Sequence, residues 1–309
     1  MWRFLPLLIA LLLPVSGVVE LVLAQVQHRR VPTKSDWNHA AAAALAQAGS
    51  ADIVLVSPRW AEPLGRMALG AGAQWSMVGR SDLDDFARVF ELSIRNEDDP
   101  DVARFSRTKT ERFGFVELRV FENPSPAHAL FRLSDSIGDE PKVKMAVGDD
   151  DKSTPCLLER GGFARMPALF AGPSVSGAHL VCEGSTAGPT IVTDLSYTPR
   201  KCLFLGVPGN PGESLRITAT DIPFGKTIVG HFGLHAFAER ELKFHAINVQ
   251  VFAGGVALGT ATHNDGDAWK RFEFASPNVA GRQDSLEVRV WADVPAERRP
   301  ICLEIETRQ

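Results

Sequence analysis

The chain has 309 residues, 45% of them hydrophobic and 23% charged, which is the composition of a globular protein and not of a disordered or collagen-like chain. Its 33 basic and 37 acidic side chains give a formal net charge of −4, so no cationic excess is present to neutralise phosphates and we expect no nucleic-acid partner. The 26 glycines and 20 prolines favour frequent turns and a β-rich fold. A chain of this length can form one large domain or two of ordinary size.

An apolar segment at residues 4–24 is interrupted by a single charge, Glu20. The segment is about as long as a helix must be to cross a bilayer core of ~30 Å. Val22 and Ala24 also fit the small-residue positions of a signal-peptide cleavage site after Ala24. The sequence leaves open whether residues 1–24 are a membrane anchor or a cleaved signal peptide. Either way we predict an inner-membrane-anchored or secreted protein whose body lies in the periplasm or another extracytoplasmic space.

The four cysteines indicate disulfide bonds, because an even number follows an export-type segment. They are Cys156, Cys182, Cys202 and Cys302. Four cysteines can form three pairings, and no two of them have the C-x-x-C spacing of a zinc knuckle or a thioredoxin-type motif. The order of the predicted strands favours the pairs Cys156–Cys182 and Cys202–Cys302. Four buried free thiols are the alternative.

The first predicted domain, residues 35–124, alternates helices with buried strands, a pattern typical of a small α/β layer domain. An alanine-rich helix opens it, since alanine has the highest helix propensity and Gly49 can end the helix. Short apolar or alternating runs indicate its strands. The predicted elements are a helix capped by Ser35 or Asp36, helices at 62–69 and 82–87, and strands at 52–56, 88–94 and 113–121.

Helix signals almost vanish in the C-terminal part, where short strands are separated by turn residues. The predicted strands are 202–207, 214–222, 227–234, 246–252, 256–262, 269–275, 286–292 and 301–307. Eight strands of this length predict a jelly-roll β-sandwich over 198–309, preceded by a β-rich connecting region at 125–197. The predicted fold class is therefore α+β: a small α/β layer domain followed by an all-β jelly-roll sandwich, behind one N-terminal membrane segment.

The first part of the chain resembles a known family. Asp36-Trp37 before the alanine-rich helix, Ala51-Asp52-Ile53-Val54-Leu55 with Pro58 and Trp60, Arg88-Val89-Phe90 and Phe113-Gly114-Phe115-Val116-Glu117-Leu118 carry the resemblance. These segments are similar to the soluble periplasmic domain of polyprenyl-phosphate-sugar-dependent membrane glycosyltransferases of the protein mannosyltransferase and aminoarabinose transferase type. Asn38 stands where that family usually has arginine. The C-terminal part resembles a jelly-roll domain of unknown function attached to such proteins, through Arg200-Lys201-Cys202-Leu203, Val229-Gly230-His231-Phe232-Gly233-Leu234, Trp269 and Ile301-Cys302-Leu303.

One departure limits what the resemblance implies. The family places its catalytic carboxylate in an early external loop among many membrane helices, whereas this sequence has one apolar segment of that length. A single helix cannot build the membrane-embedded cavity that a lipid-linked sugar donor requires. The resemblance therefore implies an accessory or stand-alone version of the soluble part, with a membrane glycosyltransferase as a candidate partner.

Motifs for catalysis, cofactors and metals are incomplete. Gly225-Lys226-Thr227 imitates the end of a phosphate-binding loop, but Thr220 stands where that motif needs its first glycine. His231 and His235 are four residues apart, yet two ligands are too few for a zinc site. We therefore predict no catalytic residue, no cofactor and no metal.

Tryptophans beside cations are the candidates for sugar binding. Trp269 with Arg271, and Trp291 with Arg289, each point to one face of a strand because successive side chains alternate. Trp60 follows a strand end, where α/β folds tend to place ligands. The ligand-binding candidates are Trp269, Arg271, His231, His235 and Trp60. For each tryptophan, Trp75 included, the alternative is an ordinary core residue.

These features together predict a non-catalytic, membrane-anchored or exported accessory protein of an envelope glycan or glycosyl-transfer pathway. It would bind carbohydrate or a membrane glycosyltransferase. Two alternatives stay open: an extracytoplasmic enzyme that acts on a glycan or a lipid-linked sugar, and a purely structural protein-interaction module.

Overall fold

The computed structural model divides the chain into two compact units. It describes residues 15–22, 31–74, 77, 79–138, 142–149, 152–165, 174–182, 185–196, 198–208, 212–241, 246–292 and 299–309. Unit 1 comprises residues 1–73 and 88–122, and unit 2 comprises residues 74–87 and 123–309. Residues 74–87, which fall inside the predicted range 35–124, therefore group with unit 2.

Unit 1 packs helices on a four-stranded sheet. Its elements are α1 (Lys34–Gln47), α2 (Glu62–Leu69), β1 (Asp52–Ser57), β2 (Arg88–Ser93), β3 (Ser106–Phe113) and β4 (Val116–Glu122). The strand order is β1-β2-β4-β3, with β1 and β2 parallel and the other pairs antiparallel. The alanine-rich helix α1 buries Trp37, Ala40, Ala41 and Ala44. This arrangement confirms a small α/β layer.

The N-terminus of α1 differs from the prediction by a few residues. Thr33 is the capping residue: its Oγ1 accepts from the backbone N–H of Asp36 at 3.2 Å, and the Asp36 carboxylate accepts from the Thr33 N–H at 3.0 Å. These two reciprocal bonds form a capping box. The backbone hydrogen bond from Thr33 lowers the pKa of Asp36. Asp36 thus supports the cap and is not the cap itself.

Two other predicted elements of the first domain are wrong. Residues 82–87 form turns and no helix. The Asp82 and Asp84 carboxylates accept hydrogen bonds from Arg308 and are therefore not available to cap a helix. Residues 113–121 are not one strand. The chain reverses between β3 and β4 at Gly114, whose φ of 59° is a conformation that glycine adopts without steric cost.

Unit 2 is a β-sandwich of two sheets. Its strands are β5 (Ala129–Arg132), β6 (Val143–Gly148), β7 (Ser153–Pro155), β8 (Leu157–Arg165), β9 (Ser174–Cys182), β10 (Ser185–Thr193), β11 (Pro199–Val207), β12 (Ser214–Pro223), β13 (Thr227–Gly233), β14 (Ile247–Ala253), β15 (Val256–His263), β16 (Lys270–Ala275), β17 (Gln283–Ala292) and β18 (Arg299–Arg308), with a short helix α3 (Ala236–Glu241) after β13. All eight predicted C-terminal strands are present, with ends shifted by a few residues.

The two sheets divide these strands between them. The eight-stranded sheet has the order β16-β13-β18-β11-β10-β9-β8, with β5 paired to β18. The six-stranded sheet has the order β15-β14-β17-β12-β6-β7. The core lies between the sheets, where alternate side chains of each strand meet. From the six-stranded sheet, β17 contributes Leu286, Val288 and Val290. From the eight-stranded sheet, β18 contributes Ile301, Leu303 and Ile305.

Both favoured disulfide bonds are present. Cys156 pairs with Cys182 and Cys202 with Cys302, with Cα atoms 4.4 and 5.5 Å apart. The second bond joins two neighbouring strands of the eight-stranded sheet, β11 and β18. The pairing from strand order is therefore confirmed, and the alternative of free thiols is wrong. Two disulfides indicate an oxidising, extracytoplasmic environment.

The N-terminal apolar segment lies mostly outside the described residues. Within it, residues 15–22 are helical and exposed. In the part of the chain that the structure describes, no helix has both the length and the hydropathy needed to cross a membrane.

We expect the Cys202–Cys302 bond to stabilise the protein more than the Cys156–Cys182 bond. It closes a loop of 100 residues against 26, and a longer loop removes more entropy from the unfolded chain. Replacing Cys202 and Cys302 by alanine should therefore lower the free energy of unfolding by about 1 kcal/mol more than replacing Cys156 and Cys182. Urea unfolding of the two double variants, followed by circular dichroism, checks this. An equal or smaller loss for the Cys202/Cys302 variant would contradict it.

Candidate functional site

Three predicted binding residues come together on the outer face of the eight-stranded sheet. His231 on β13 lies opposite Arg271 on β16 in the strand register. Trp269 immediately precedes β16, and its indole ring stacks on the His231 imidazole, with ring centroids 5.9 Å apart and planes 7° from parallel. The structure therefore brings Trp269 and Arg271, paired in the sequence analysis, together with His231.

Residues 79–87 lie against this group. The Trp269 indole N–H donates to the backbone carbonyl of Ser81 at 2.8 Å, and the Arg200 guanidinium lies 5.6 Å from the Trp269 ring and donates to the same carbonyl at 3.3 Å. His231 is buried, and its Nε2 lies 3.3 Å from the Asp82 carboxylate. The Trp269 ring is half-buried and is held by these contacts with His231, Arg200 and Ser81, so it is less free to serve as a binding platform than a ring without such contacts.

Arg308 is the centre of the contacts that hold residues 79–87. Its guanidinium is buried and donates to Asp82 at 3.0 and 3.1 Å, to Asp84 at 2.8 Å and to Glu306 through Nε at 2.8 Å. Glu306 also accepts from the Ser81 hydroxyl at 2.7 Å. Burial by itself would raise the pKa of Asp82, but hydrogen bonding from His231 and the Arg308 charge lower it well below its usual range. The network therefore keeps a buried carboxylate charged.

Glu304 lies near this network. Among the hydrogen bonds that the structure describes, none joins its carboxyl group to a cationic side chain. Its Oε1 accepts from the backbone N–H of Ser134 at 3.1 Å and of Ile305 at 3.2 Å. Burial, and then the negative charge of Glu306, raise the pKa of Glu304 to about 8. Glu304 is therefore protonated in the folded protein at neutral pH.

His235 is separated from the other candidates in secondary structure. It lies in the connection between β13 and α3, is half-buried, and has its pKa lowered by that burial. His231 and His235 therefore do not share the face of one strand. Among the described residues, no group of three His, Cys, Asp or Glu side chains is arranged to hold a metal ion.

Trp60 lies in unit 1, in a groove of about 690 Å³. The groove, here called the Trp60 groove, is lined by Val31, Pro32, Trp37, Trp60, Leu64, Ile94, Arg95 and Phe115. The Arg95 guanidinium lies 5.0 Å from the Trp60 ring centroid, a cation–π contact. Trp75, the other tryptophan considered for this part of the chain, lies outside the described residues.

The second predicted tryptophan–arginine pair, Trp291 and Arg289, lies on the outer face of the six-stranded sheet. On β17 the neighbours Val288, Val290 and Ala292 are buried in the core, whereas Arg289 and Trp291 are half-buried and reach solvent. The backbone of Trp291 pairs with that of Asn248, but its side chain makes no hydrogen bond or ring contact with other residues that the structure describes. The two side chains thus share one face, as alternation predicted, and the structure shows that it is the outer face.

Strand pairing brings further polar side chains beside this pair. In the register of β14 and β17, Asn248 lies opposite Trp291, Gln250 opposite Arg289 and Phe252 opposite Glu287. On the other side of β17, Arg216 lies opposite Arg289 and Thr218 opposite Glu287. We call this surface the Trp291 face; its residues are Trp291, Arg289, Glu287, Asn248, Gln250, Phe252, Arg216, Thr218 and, on β15, Thr260 and Thr262.

Contacts within the Trp291 face fix several of its side chains. The Arg289 guanidinium lies 4.7 Å from the Phe252 ring centroid, and its Nε donates to Glu287 at 2.5 Å. Arg216 lies 3.6 Å from the same Glu287 oxygen. The Thr262 hydroxyl donates to the Asn248 side-chain oxygen at 2.7 Å. The face spans four strands, about 14 Å across, and combines one accessible indole ring with held amide, guanidinium and carboxylate groups.

Strand β14 contributes side chains to this face that are not among the predicted site residues. Asn248, Gln250 and Phe252 alternate with buried Val249 and Val251, so their outward direction could have been read from the sequence. Their pairing with β17 could not, because nothing in either strand specifies its neighbour.

The sequence matches no protein-family model, and it matches no curated protein. Solved structures similar to this chain include carbohydrate-binding modules. The CBM51-2 and INT domains of Clostridium perfringens ZmpB, in complex with GlcNAc, align at 8% identity and a TM-score of 0.29, over 59% of this chain and 40% of that chain. The CBM51 of a Clostridium perfringens GH95 protein, in complex with methyl-galactose, aligns at 10% identity and a TM-score of 0.28, over 49% and 92%. TmCBM27, whose structure concerns mannan recognition, aligns at 12% identity and a TM-score of 0.27, over 40% of this chain and 83% of that chain.

These TM-scores and identities are too low to assign a family or a ligand to this chain. The description of unit 2 as a two-sheet β-sandwich rests on its own strands. The resemblance of residues 3–122 to the glycosyltransferase periplasmic domain finds no counterpart in these comparisons and stays a prediction.

We expect Arg308→Met to destabilise unit 2 strongly. The substitution leaves the Asp82, Asp84 and Glu306 carboxylates close together without their shared cation, which for a buried ion pair costs about 3–5 kcal/mol. Arg282→Met is the matched control, because Arg282 is 59% exposed and pairs with Asp284 at the surface, where the cost is about 0–1 kcal/mol. Urea unfolding of both variants checks this. Equal losses would contradict the role of Arg308.

Glu304 should make the protein less stable as the pH rises. Its carboxyl has a pKa of 4.5 when unperturbed and about 8 when folded. Between these values the unfolded chain has released the proton that the folded chain retains, so the free energy of unfolding falls with a slope of up to about 1.4 kcal/mol per pH unit. Glu304→Gln removes this contribution, and urea unfolding from pH 5 to pH 8 should show a flatter profile. An unchanged slope would contradict the assignment.

Proposed function

We propose that this protein is a non-catalytic, extracytoplasmic carbohydrate-binding protein whose sugar-binding surface is the Trp291 face. The observation that carries the proposal is the juxtaposition, on one sheet face, of the half-buried Trp291 ring with the half-buried side chains of Gln250 and Arg289, beside the buried amide of Asn248. A sugar presents C–H groups on the faces of its ring and hydroxyl groups at its edge. An indole ring bordered by planar hydrogen-bonding groups can satisfy both.

The aromatic ring would supply most of the affinity. Covering a large aromatic side chain contributes about 1.5–3 kcal/mol. Trp291 reaches solvent and makes no ring contact with other described residues, so a ligand can pack on it. Phe252 is less available, because the Arg289 guanidinium already lies over its ring.

The polar groups would supply orientation. A hydroxyl both donates and accepts, and an amide or a guanidinium–carboxylate pair offers both partners in fixed directions. The Glu287 carboxylate accepts a hydrogen bond from the Arg289 Nε–H and lies 3.6 Å from the Arg216 Nε. These side chains are therefore ordered before a ligand binds. Ordering in advance lowers the entropic cost of binding.

The number of carboxylates on the Trp291 face favours binding over hydrolysis. Glycoside hydrolysis commonly uses two carboxyl groups about 5–10 Å apart. Among the residues that define the Trp291 face, Glu287 is the single carboxylate, and it is engaged by an arginine. An enzyme acting on a glycan is therefore the weaker candidate for this surface.

The cellular setting is part of the proposal. Two disulfides and the apolar segment at 4–24 support export, with the segment acting as an anchor or as a signal peptide. The resemblance of residues 3–122 supports a place in an envelope glycan or glycosyl-transfer pathway, with a membrane glycosyltransferase as a further partner. A purely structural interaction module would have the same export signals and no sugar affinity.

The test is binding of the full chain to an array of bacterial envelope glycans, followed by titration of the best ligand. Trp291→Ala should weaken binding roughly 10- to 100-fold, the equivalent of about 1.5–3 kcal/mol. Gln250→Ala should weaken it about 2- to 10-fold, as loss of one hydrogen bond does. Trp60→Ala, an exposed tryptophan of unit 1, is the matched control and should leave the affinity unchanged.

Thermal unfolding of each variant separates lost binding from lost folding. No bound glycan, or a glycan whose affinity survives both Trp291→Ala and Gln250→Ala, would overturn the proposal. Release of a shortened sugar from the bound glycan would instead favour the enzyme alternative.

A further inference from the structure

One end of unit 1 exposes several large apolar side chains together. Around the Trp60 groove, Trp60 is 59% exposed, Leu64 49% and Phe115 48%, and Met67, one turn beyond Leu64 on α2, is 77% exposed. Single exposed apolar residues are ordinary, but a contiguous group that lines a groove marks an interaction site. The group contains no residue that the Trp291 face uses.

The sequence ties this groove to the N-terminal apolar segment. Val31 and Pro32 line the groove, and only the six residues Gln25 to Arg30 stand between them and Ala24, where the apolar segment ends. A connection of that length spans at most roughly 25 Å. In the anchored form of the protein, the groove therefore cannot be far from the bilayer surface.

The side chains around the groove match the chemistry of a membrane interface. Tryptophan is enriched there because its ring is apolar while its N–H can bond to headgroups or water. The cations match as well: Arg95 lies over the Trp60 ring, Lys34 is exposed at the start of α1, and the sequence places Arg29 and Arg30 in the connection. Each basic residue near an anionic leaflet contributes about 1 kcal/mol of attraction.

We infer that the Trp60 groove is a membrane-docking surface: unit 1 rests on the anionic lipid bilayer that holds residues 4–24, with Trp60, Leu64 and Phe115 in the headgroup–acyl boundary. The occupant of the groove is lipid. This contact is separate from sugar binding and does not depend on it.

The test uses the full chain reconstituted in vesicles of phosphatidylethanolamine and phosphatidylglycerol. Met67→Cys is labelled with the environment-sensitive dye NBD. The dye reacts with the introduced cysteine alone, because all four native cysteines are in disulfides. Ser106→Cys is the control: it is exposed at the opposite end of β3 from the Phe115 turn, about 23 Å along the strand. Doxyl-labelled lipid is then added as a quencher that acts only at short range.

We expect the Met67 label to shift to the blue and to be quenched by doxyl lipid, and the Ser106 label to do neither. Adding Trp60→Asp to the Met67-labelled chain should remove the quenching while the chain stays in the vesicles. Three results would overturn the inference: both labels behave as in water, both are quenched alike, or the Met67 label is shielded without lipid quenching. The last result would assign the groove to a protein partner or a second copy of the chain.

Discussion

The buried ionic contacts of Arg308 are the constraint on which the arrangement of unit 2 depends. Charges taken out of water are costly unless they are paired and hydrogen-bonded, and Arg308 satisfies this by binding Asp82, Asp84 and Glu306 at once. Two of these partners lie more than 200 residues before Arg308 in the chain, so the pairing holds residues 79–87 on the eight-stranded sheet. The backbone carbonyl of Ser81, in the same segment, accepts a hydrogen bond from the indole N–H of Trp269. Residues 79–87 thus contact part of one sheet face and hold Trp269 in place.

The six-stranded sheet has an outer face of a different kind. Its outer face keeps an indole ring and polar side chains that reach solvent, and their order comes from contacts within the face, such as Arg289 with Phe252 and Glu287. A binding surface on paired strands is more rigid than one on loops, because backbone hydrogen bonds fix every neighbour. The two outer faces of the sandwich therefore differ in what holds their side chains: residues 79–87 contact one face, and contacts within the face order the other.

Much of the fold was predictable from local patterns, and the failures have identifiable causes. Strand alternation located all eight C-terminal strands, and strand order chose the disulfide pairing. The predicted helix at 82–87 is wrong because tertiary ion pairs with Arg308 outweigh local helix propensity. The predicted strand at 113–121 is wrong because a single glycine, Gly114, can reverse the chain inside an alternating pattern. The predicted N-cap, Ser35 or Asp36, is wrong because Thr33, Ser35 and Asp36 can all cap a helix, and the choice depends on where the backbone becomes helical.

The export-type N-terminus and the eight C-terminal strands can be read from the sequence, as can the shared strand face of Trp269 with Arg271 and of Trp291 with Arg289. Strand order favours the two cysteine pairs that the structure contains. The three-dimensional fold adds the contacts of each ring: His231 and Arg200 lie against the Trp269 ring, whereas the Trp291 ring has no ring contact among the described residues. Alternation along a strand is a local property and is the same for both pairs. Which contacts a face receives depends on a segment far away in the sequence, and that segment is held by the requirement that the charge of Arg308 be neutralised where water is excluded.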